Sequence, residues 1–170
     1  MQMSSEREIA APPEEVWAAI LDPEVLQACV PGCQEMSGNA DDGFEATVVQ
    51  KVGPVKATFK GQVTVENRVE QESLTLVGEG KGGPAGFAKG AADVKLTPTE
   101  TGTLLSYEVD AKVGGKLAQL GSRIIDGFAK KMADQFFERF QTAIEGTAEA
   151  VPDDAPEEEK KKGWLSRLRG

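Results

Sequence analysis

The chain contains no histidine. That absence removes Ser-His-Asp and Cys-His nucleophilic sites, together with His-ligated zinc or haem. Cysteine is almost missing too, since Cys29 and Cys33 are the only two. Two thiolates do not complete a four-cysteine zinc site, and no carboxylate cluster at ligand spacing accompanies them. No metal and no resident cofactor are therefore expected. No run of about 18 apolar residues occurs, which argues against a spanning helix. The opening stretch MQMSSEREIAAPPEE is acidic and has no apolar h-region, so no secretory signal is expected and the cytoplasm is the expected compartment. Positive charge is also in deficit. The net charge is −9 at pH 7, which repels phosphate backbones, so no nucleic-acid partner is expected.

What is present is enough for one domain: 170 residues, 39% of them hydrophobic. Residues 2–9 read as a first strand. Pro12 and Pro13 open a short helix, and Glu14 and Glu15 suit the positive end of its dipole. Asp22-Pro23 ends that helix and starts a second, which stops at Pro31-Gly32. From Gln34 to about Lys112 the period becomes 2. Phe44 to Val52 and Val55 to Glu66 alternate around a Gly53-Pro54 turn. Leu74 to Val77, Ala91 to Pro98 and Thr103 to Val113 add further strands. A long helix is then expected from about Gly114 to Ile144. Leu117, Gly121, Ile124, Ile125, Phe128, Met132, Phe136, Phe140 and Ala143 fall on one face, and Lys116, Arg123, Asp126, Lys130, Asp134 and Glu138 on the other. After Ala148 the segment AVPDDAPEEE reads as an acidic disordered linker and KKKGWLSRLRG as a basic tail.

Three segments carry a resemblance: Pro23-Glu24-Val25-Leu26-Gln27-Ala28-Cys29-Val30-Pro31-Gly32-Cys33, Gly80-Lys81-Gly82-Gly83-Pro84-Ala85-Gly86-Phe87, and Gly114-Gly115-Lys116-Leu117-Ala118-Gln119-Leu120-Gly121-Ser122-Arg123. In this order they resemble the family named for the G subunit of carbon monoxide dehydrogenase, within the START-like superfamily. The resemblance covers roughly residues 1–147. It implies an α+β helix-grip fold, in which a curved antiparallel sheet of six to seven strands wraps a long C-terminal helix and encloses a hydrophobic cavity. It also implies an accessory protein of molybdenum hydroxylases, linked to recruiting them to the membrane. The expected organisation is a helix-grip domain at 1–147, a linker at 148–159 and a tail at 160–170.

Several motifs have more than one reading. Gly78-Glu79-Gly80-Lys81-Gly82-Gly83 matches G-x-G-x-x-G, but no helix opens after it, so a dinucleotide site is disfavoured. It reads either as a glycine hairpin or as a mobile flap with Phe87 as a plug. Cys29 and Cys33 read as packing residues rather than a redox pair. Tyr107, the one tyrosine, could meet the polar head of a ligand or sit at the sheet rim. On the long helix, the half from Leu117 to Phe128 is the expected ligand wall, and Met132 to Ile144 the expected plain packing. The candidate cavity set is Phe59, Phe87, Tyr107, Leu117, Leu120, Ile124 and Phe128. In the tail, Lys160, Lys161, Lys162, Arg167 and Arg169 surround Trp164, Leu165 and Leu168, the pattern of an interfacial membrane anchor. A solvated tail and a partner-docking peptide are the other readings.

The expected function is a non-enzymatic accessory protein. It would bind a lipid or quinone and recruit a molybdenum hydroxylase such as carbon monoxide dehydrogenase to the inner face of the membrane. A pure assembly factor without ligand is the alternative. A small hydrolase or cyclase is a third, for which Tyr107 is the one candidate group.

Overall fold

The computed structural model describes residues 1–149. In chain order the elements are β1 (Gln2–Ile9), α1 (Pro13–Ile20), α2 (Pro23–Cys29), β2 (Cys33–Asn39), β3 (Gly43–Val52), β4 (Val55–Val69), β5 (Ser73–Lys81), β6 (Phe87–Pro98), β7 (Thr103–Gly114), α3 (Lys116–Gln119) and α4 (Ser122–Glu149). The helix starts follow from local chemistry. Pro13 occupies the first turn of α1, ahead of Glu14 and Glu15. The Asp22 carboxylate caps α2 by accepting the Glu24 N–H at 2.9 Å.

The seven strands form one antiparallel sheet in the order β1-β7-β6-β5-β4-β3-β2. Period-2 alternation sends one set of side chains to the concave face and the other to water. The helices cover the concave face. This is the expected helix-grip arrangement.

The core fills one end of that face only. Ile9, Val16, Ile20, Val25, Leu74, Leu96, Leu105, Phe140 and Ile144 are buried there, under α1, α2 and the second half of α4. Polar ties fix α4 at this end. Gln141 Nε2 donates to the Glu8 carbonyl at 3.1 Å, Arg7 donates to Gln141 Oε1 at 2.9 Å, and the Ala10 N–H donates to Glu145 Oε2 at 2.8 Å.

Toward the other end the concave face loses bulk. Along β5 its residues run Leu74, Leu76, Gly78, Gly80. Along β6, followed back from the core, they run Leu96, Val94, Ala92, Gly90, Ala88. The taper leaves open space between the sheet and the first half of α4.

Two expectations need correction. The helix expected from Gly114 is broken. Gly115 has φ +73° and Gly121 φ +91°, so α3 is a separate short turn and α4 begins at Ser122. Glycine reaches these left-handed values without steric cost, and hydrophobic periodicity alone does not register the break. Of the two readings of the glycine-rich stretch, the structure takes the hairpin and corrects the flap. Gly78 and Gly80 are ladder residues of β5, and a short 3-10 turn at Gly83–Ala85 links Lys81 to Phe87. Ala85 is buried, which pins the turn.

Candidate functional site

The tapered end encloses an open cavity of about 900 Å³. Its floor comes from concave-face residues of five strands, among them Val48, Gln50 and Val52 of β3, Phe59 of β4, Gly80 of β5, Ala88 of β6, and Val109, Ala111 and Val113 of β7. Met1 and Met3 close one edge, and Val30 and Pro31, from the turn after α2, close another. The roof is Leu117 and Ala118 of α3, Gly121, and then Ser122, Ile125, Phe128, Ala129, Met132, Ala133 and Phe136 of α4.

Each wall position has a local cause. Phe59 lies flat over Gly82, where a Cβ would stand 2.5 Å from the ring, so a side chain there would push Phe59 away. Leu117 is buried although α3 is a single turn, because Gly115 turns the chain so that it faces the sheet. Ile125, Phe128 and Met132 recur at helical spacing on the roof.

The lining is almost wholly apolar. Its polar side chains are Gln50, Ser122 and Asp126, while Lys112 borders the cavity from β7 with the convex-face parity of Lys89. Gln50 is occupied on one side, since its amide donates to the Pro31 carbonyl. A cavity of this size and character can take one elongated apolar molecule, with a few polar groups to orient its head. Among the described residues no three metal-ligating side chains come together.

The structure brings together three of the seven candidate cavity residues: Phe59, Leu117 and Phe128. The other four lie outside the wall. Phe87 has the opposite parity to Ala88, so it projects from the convex face, covers Gly114 and is 40% exposed. Tyr107 faces inward but at the core end, where its ring stacks on Phe137 with centroids 4.7 Å apart. Leu120 and Ile124 lie over the β3–β4 turn, with methyl groups 3.9 and 3.5 Å from where a Cβ on Gly53 would stand.

The division of the long helix also shifts. Met132, Ala133 and Phe136, expected as packing, line the deep end of the cavity, while Phe140 and Ile144 are core. The missed wall residues of the sheet were readable in principle. The signal was the fall from leucine to glycine and alanine along one parity of β5 and β6. The tail residues Lys160, Lys161, Lys162, Trp164, Leu165, Arg167, Leu168 and Arg169, and the linker from residue 150, lie outside the described residues.

The two cysteines are both free thiols. Cys29 is buried in the core, and burial pushes its pKa up to about 11 against the small opposing pull of the Arg139 charge. Cys33 is half-buried, and burial raises its pKa as well, while its Sγ donates to the Glu35 carbonyl at 3.2 Å. Neither is set up as a thiolate nucleophile. The unfolded chain releases the Cys29 proton near pH 9 and the folded chain near 11, so folding favours the neutral thiol. Its contribution is complete below pH 9 and falls as pH rises through 11. The loss is expected to be on the order of 2 kcal/mol, and urea unfolding of Cys29→Ala across this range should lack that decline.

The comparisons with known proteins agree with this geometry. The family model described as the G subunit of carbon monoxide dehydrogenase (CoxG) matches residues 6–145. A conserved protein from Geobacillus kaustophilus is similar at 30% identity and TM-score 0.80, over 86% of this chain and 97% of that one. A protein from Mesorhizobium loti is similar at 21% identity and TM-score 0.61, over 84% and 95%. The structure of Ara h 8.0201 shares the fold at 14% identity and TM-score 0.58, over 86% and 98%. No curated protein matches the chain.

Proposed function

The chain belongs to the CoxG family, named for the G subunit of carbon monoxide dehydrogenase, and from that premise we propose a non-enzymatic carrier and adaptor. The domain holds one hydrophobic molecule, a lipid or a quinone, in its cavity. It brings a molybdenum hydroxylase such as carbon monoxide dehydrogenase to the inner face of the membrane. The observation that carries the proposal is the apolar cavity of about 900 Å³, made by small residues on the sheet and roofed by a helix that stands away from them.

The arrangement suits carrying better than chemistry. Catalysis by proton transfer needs a positioned acid or base near the reacting atoms. Among the lining residues Asp126 is the one carboxylate, and the Lys112 side chain has convex-face parity. A ligand with a polar head and an apolar tail would lay its tail on Met132 and Phe136. Its head would then meet Ser122 and Asp126, one helical turn apart at the start of α4.

The route in is the α3 segment. It is held between two glycines of positive φ, Gly115 and Gly121, and can swing without breaking a strand pair or the body of α4. Among the described residues no helix is long and apolar enough to cross a membrane, so contact with the bilayer in this reading is peripheral. The basic-aromatic sequence at 160–170 supplies one contact.

Organic extraction of the purified full-length chain, followed by mass spectrometry, tests the carrier. A stoichiometric hydrophobe, or saturable uptake of an added quinone, is expected. Recovery of none, with no uptake, would leave a recruitment factor without ligand.

A further inference from the structure

The convex face of the sheet is segregated by charge. At the cavity end, lysines stand directly opposite one another on neighbouring strands: Lys51 opposite Lys56, Lys60 opposite Lys81, and Lys89 opposite Lys112. All six are exposed. Lys116 adds to them, since it shares a surface groove with Lys56 beside the β5–β6 turn. Two carboxylates share these strand ends: Glu79, which lies 3.6 Å from Lys81 and stands directly opposite Lys89 on β6, and Asp110. The opposite ends of the same strands are mainly acidic, with Arg68, paired with Asp41, and Lys95 as the basic residues among them. Asp41 and Asp42 mark the β2–β3 turn, Glu70 and Glu72 the β4–β5 turn, and Glu100 the β6–β7 turn.

Like charges directly opposite on adjacent strands repel and cost stability. Glu79 offsets part of this repulsion for Lys81 and Lys89, and the six lysines still outnumber the carboxylates here, a local positive excess on a chain of net charge −9 that an anionic partner would relieve.

The residue type narrows that partner. These strand ends carry lysine and no arginine. Lysine is a compact point charge on a flexible stem, without the rigid fork that reads a fixed carboxylate or phosphate geometry. A diffuse field of lipid phosphates suits it. Among the described residues, two of the three exposed large hydrophobic side chains, Phe87 and Ile124, stand at this same end. Pro54 and Pro84 lie on the neighbouring turns. Basic stems around a few exposed apolar side chains are the composition of a face that rests in a headgroup layer.

We infer that the cavity end of the folded domain is itself a docking face for an anionic lipid bilayer, separate from the tail. The lysines meet headgroup phosphates, and Phe87 and Ile124 enter the interface. The acidic end is repelled, so the domain is oriented with α3 toward the bilayer. The inference deepens the carrier reading, because it sets the α3 segment against the store from which a hydrophobe would come.

Full-length chain sedimented with vesicles provides the test, using an equal mixture of phosphatidylglycerol and phosphatidylcholine beside phosphatidylcholine alone. The variants are Lys56→Gln/Lys60→Gln/Lys116→Gln on the face and Lys160→Gln/Lys161→Gln/Lys162→Gln in the tail, separately and together. Each lysine near an anionic surface is worth about fivefold in affinity, so the face variant is expected to bind the mixed vesicles roughly 100-fold more weakly in either tail background. Phe87→Ser is expected to weaken binding severalfold, and phosphatidylcholine vesicles to retain little of any form. Unchanged binding of the face variant to mixed vesicles would overturn the inference. So would a loss confined to binding of purified carbon monoxide dehydrogenase, which would make the partner a protein. Quinone uptake from detergent, without vesicles, reads the carrier separately. If the wild type takes up none while vesicle binding still depends on the face, the carrier reading falls and the docking face stands.

Discussion

Ala129→Asp is expected to leave the chain folded and to weaken uptake of a hydrophobic ligand by about 100-fold or more. Ala129 lies on the roof with Phe128 and Met132, and Val109 and Ala111 are on the floor of the same cavity. In the empty protein the new carboxylate has water beside it, because the cavity is open. Once an apolar molecule fills the space, that water is gone and the charge has no partner. Leaving an ion unpaired against an apolar surface costs on the order of 3 kcal/mol or more even after relaxation, which sets the expected loss. Titration with a quinone, followed by fluorescence of the chain or of the ligand, measures it. A conservative change at the same site, Ala129→Ser, should lose far less. Equal affinities for Ala129→Asp and wild type would place the ligand elsewhere.

The second large effect concerns stability and separates the core from the cavity. Phe140 is fully buried, stacks on Phe136 with ring centroids 5.6 Å apart, and meets Phe137 edge-on. Phe140→Ala is expected to cost about 3–5 kcal/mol, from lost transfer energy and the hole left behind. In a domain of this size that lowers the thermal midpoint by roughly 10 °C. Phe136, one helical turn earlier, borders space that is already open. Phe136→Ala enlarges an existing cavity instead of making one, so about 1–2 kcal/mol is expected. Calorimetry on the two variants checks the order. The opposite ranking would mean that the empty space extends beneath Phe140 and not beneath Phe136.

Much of the scaffold was readable from residue pattern. The alternation from Val55 to Glu66 fixed both the strand and its inward parity, because a one-residue slip would bury lysines. The proline-started helices, the run of strands and the long terminal helix followed from similar signals, and the wrapping of that helix by a curved sheet followed from the family resemblance. The break at Gly121 did not. The apolar stripe continues in phase across it, and a helical glycine costs only about 1 kcal/mol relative to alanine, so sequence does not mark where the backbone leaves the helix.

Phe87 was misplaced for a different reason. The plug role belonged to the flap reading of the glycine-rich stretch, which assigns Phe87 no strand parity. Once Gly78 and Gly80 are ladder residues, strand pairing puts Phe87 outside. Tyr107 shared the correct face but not the correct end. Which end of a concave face is filled depends on where the second half of α4 docks. That docking is set by Gln141 and Glu145 reaching β1 and Ala10, contacts more than 130 residues apart in sequence. The cavity itself has a sequence signature after all, in the loss of side-chain bulk along one face. Hydrophobic periodicity does not see it, because glycine and alanine interrupt neither period.

The four methionines supply a direct reporter of the central claim. Met1, Met3 and Met132 line the cavity, and Met36 lies on β2 away from it. With 13C-methyl methionine in the full-length chain, NMR spectra recorded during addition of a quinone should shift the methyl signals of Met3 and Met132 saturably, at one equivalent. The Met36 signal should stay in place. Unmoved Met3 and Met132 signals at saturating ligand, or a shift of Met36 alone, would contradict a ligand-holding cavity between the sheet and α4.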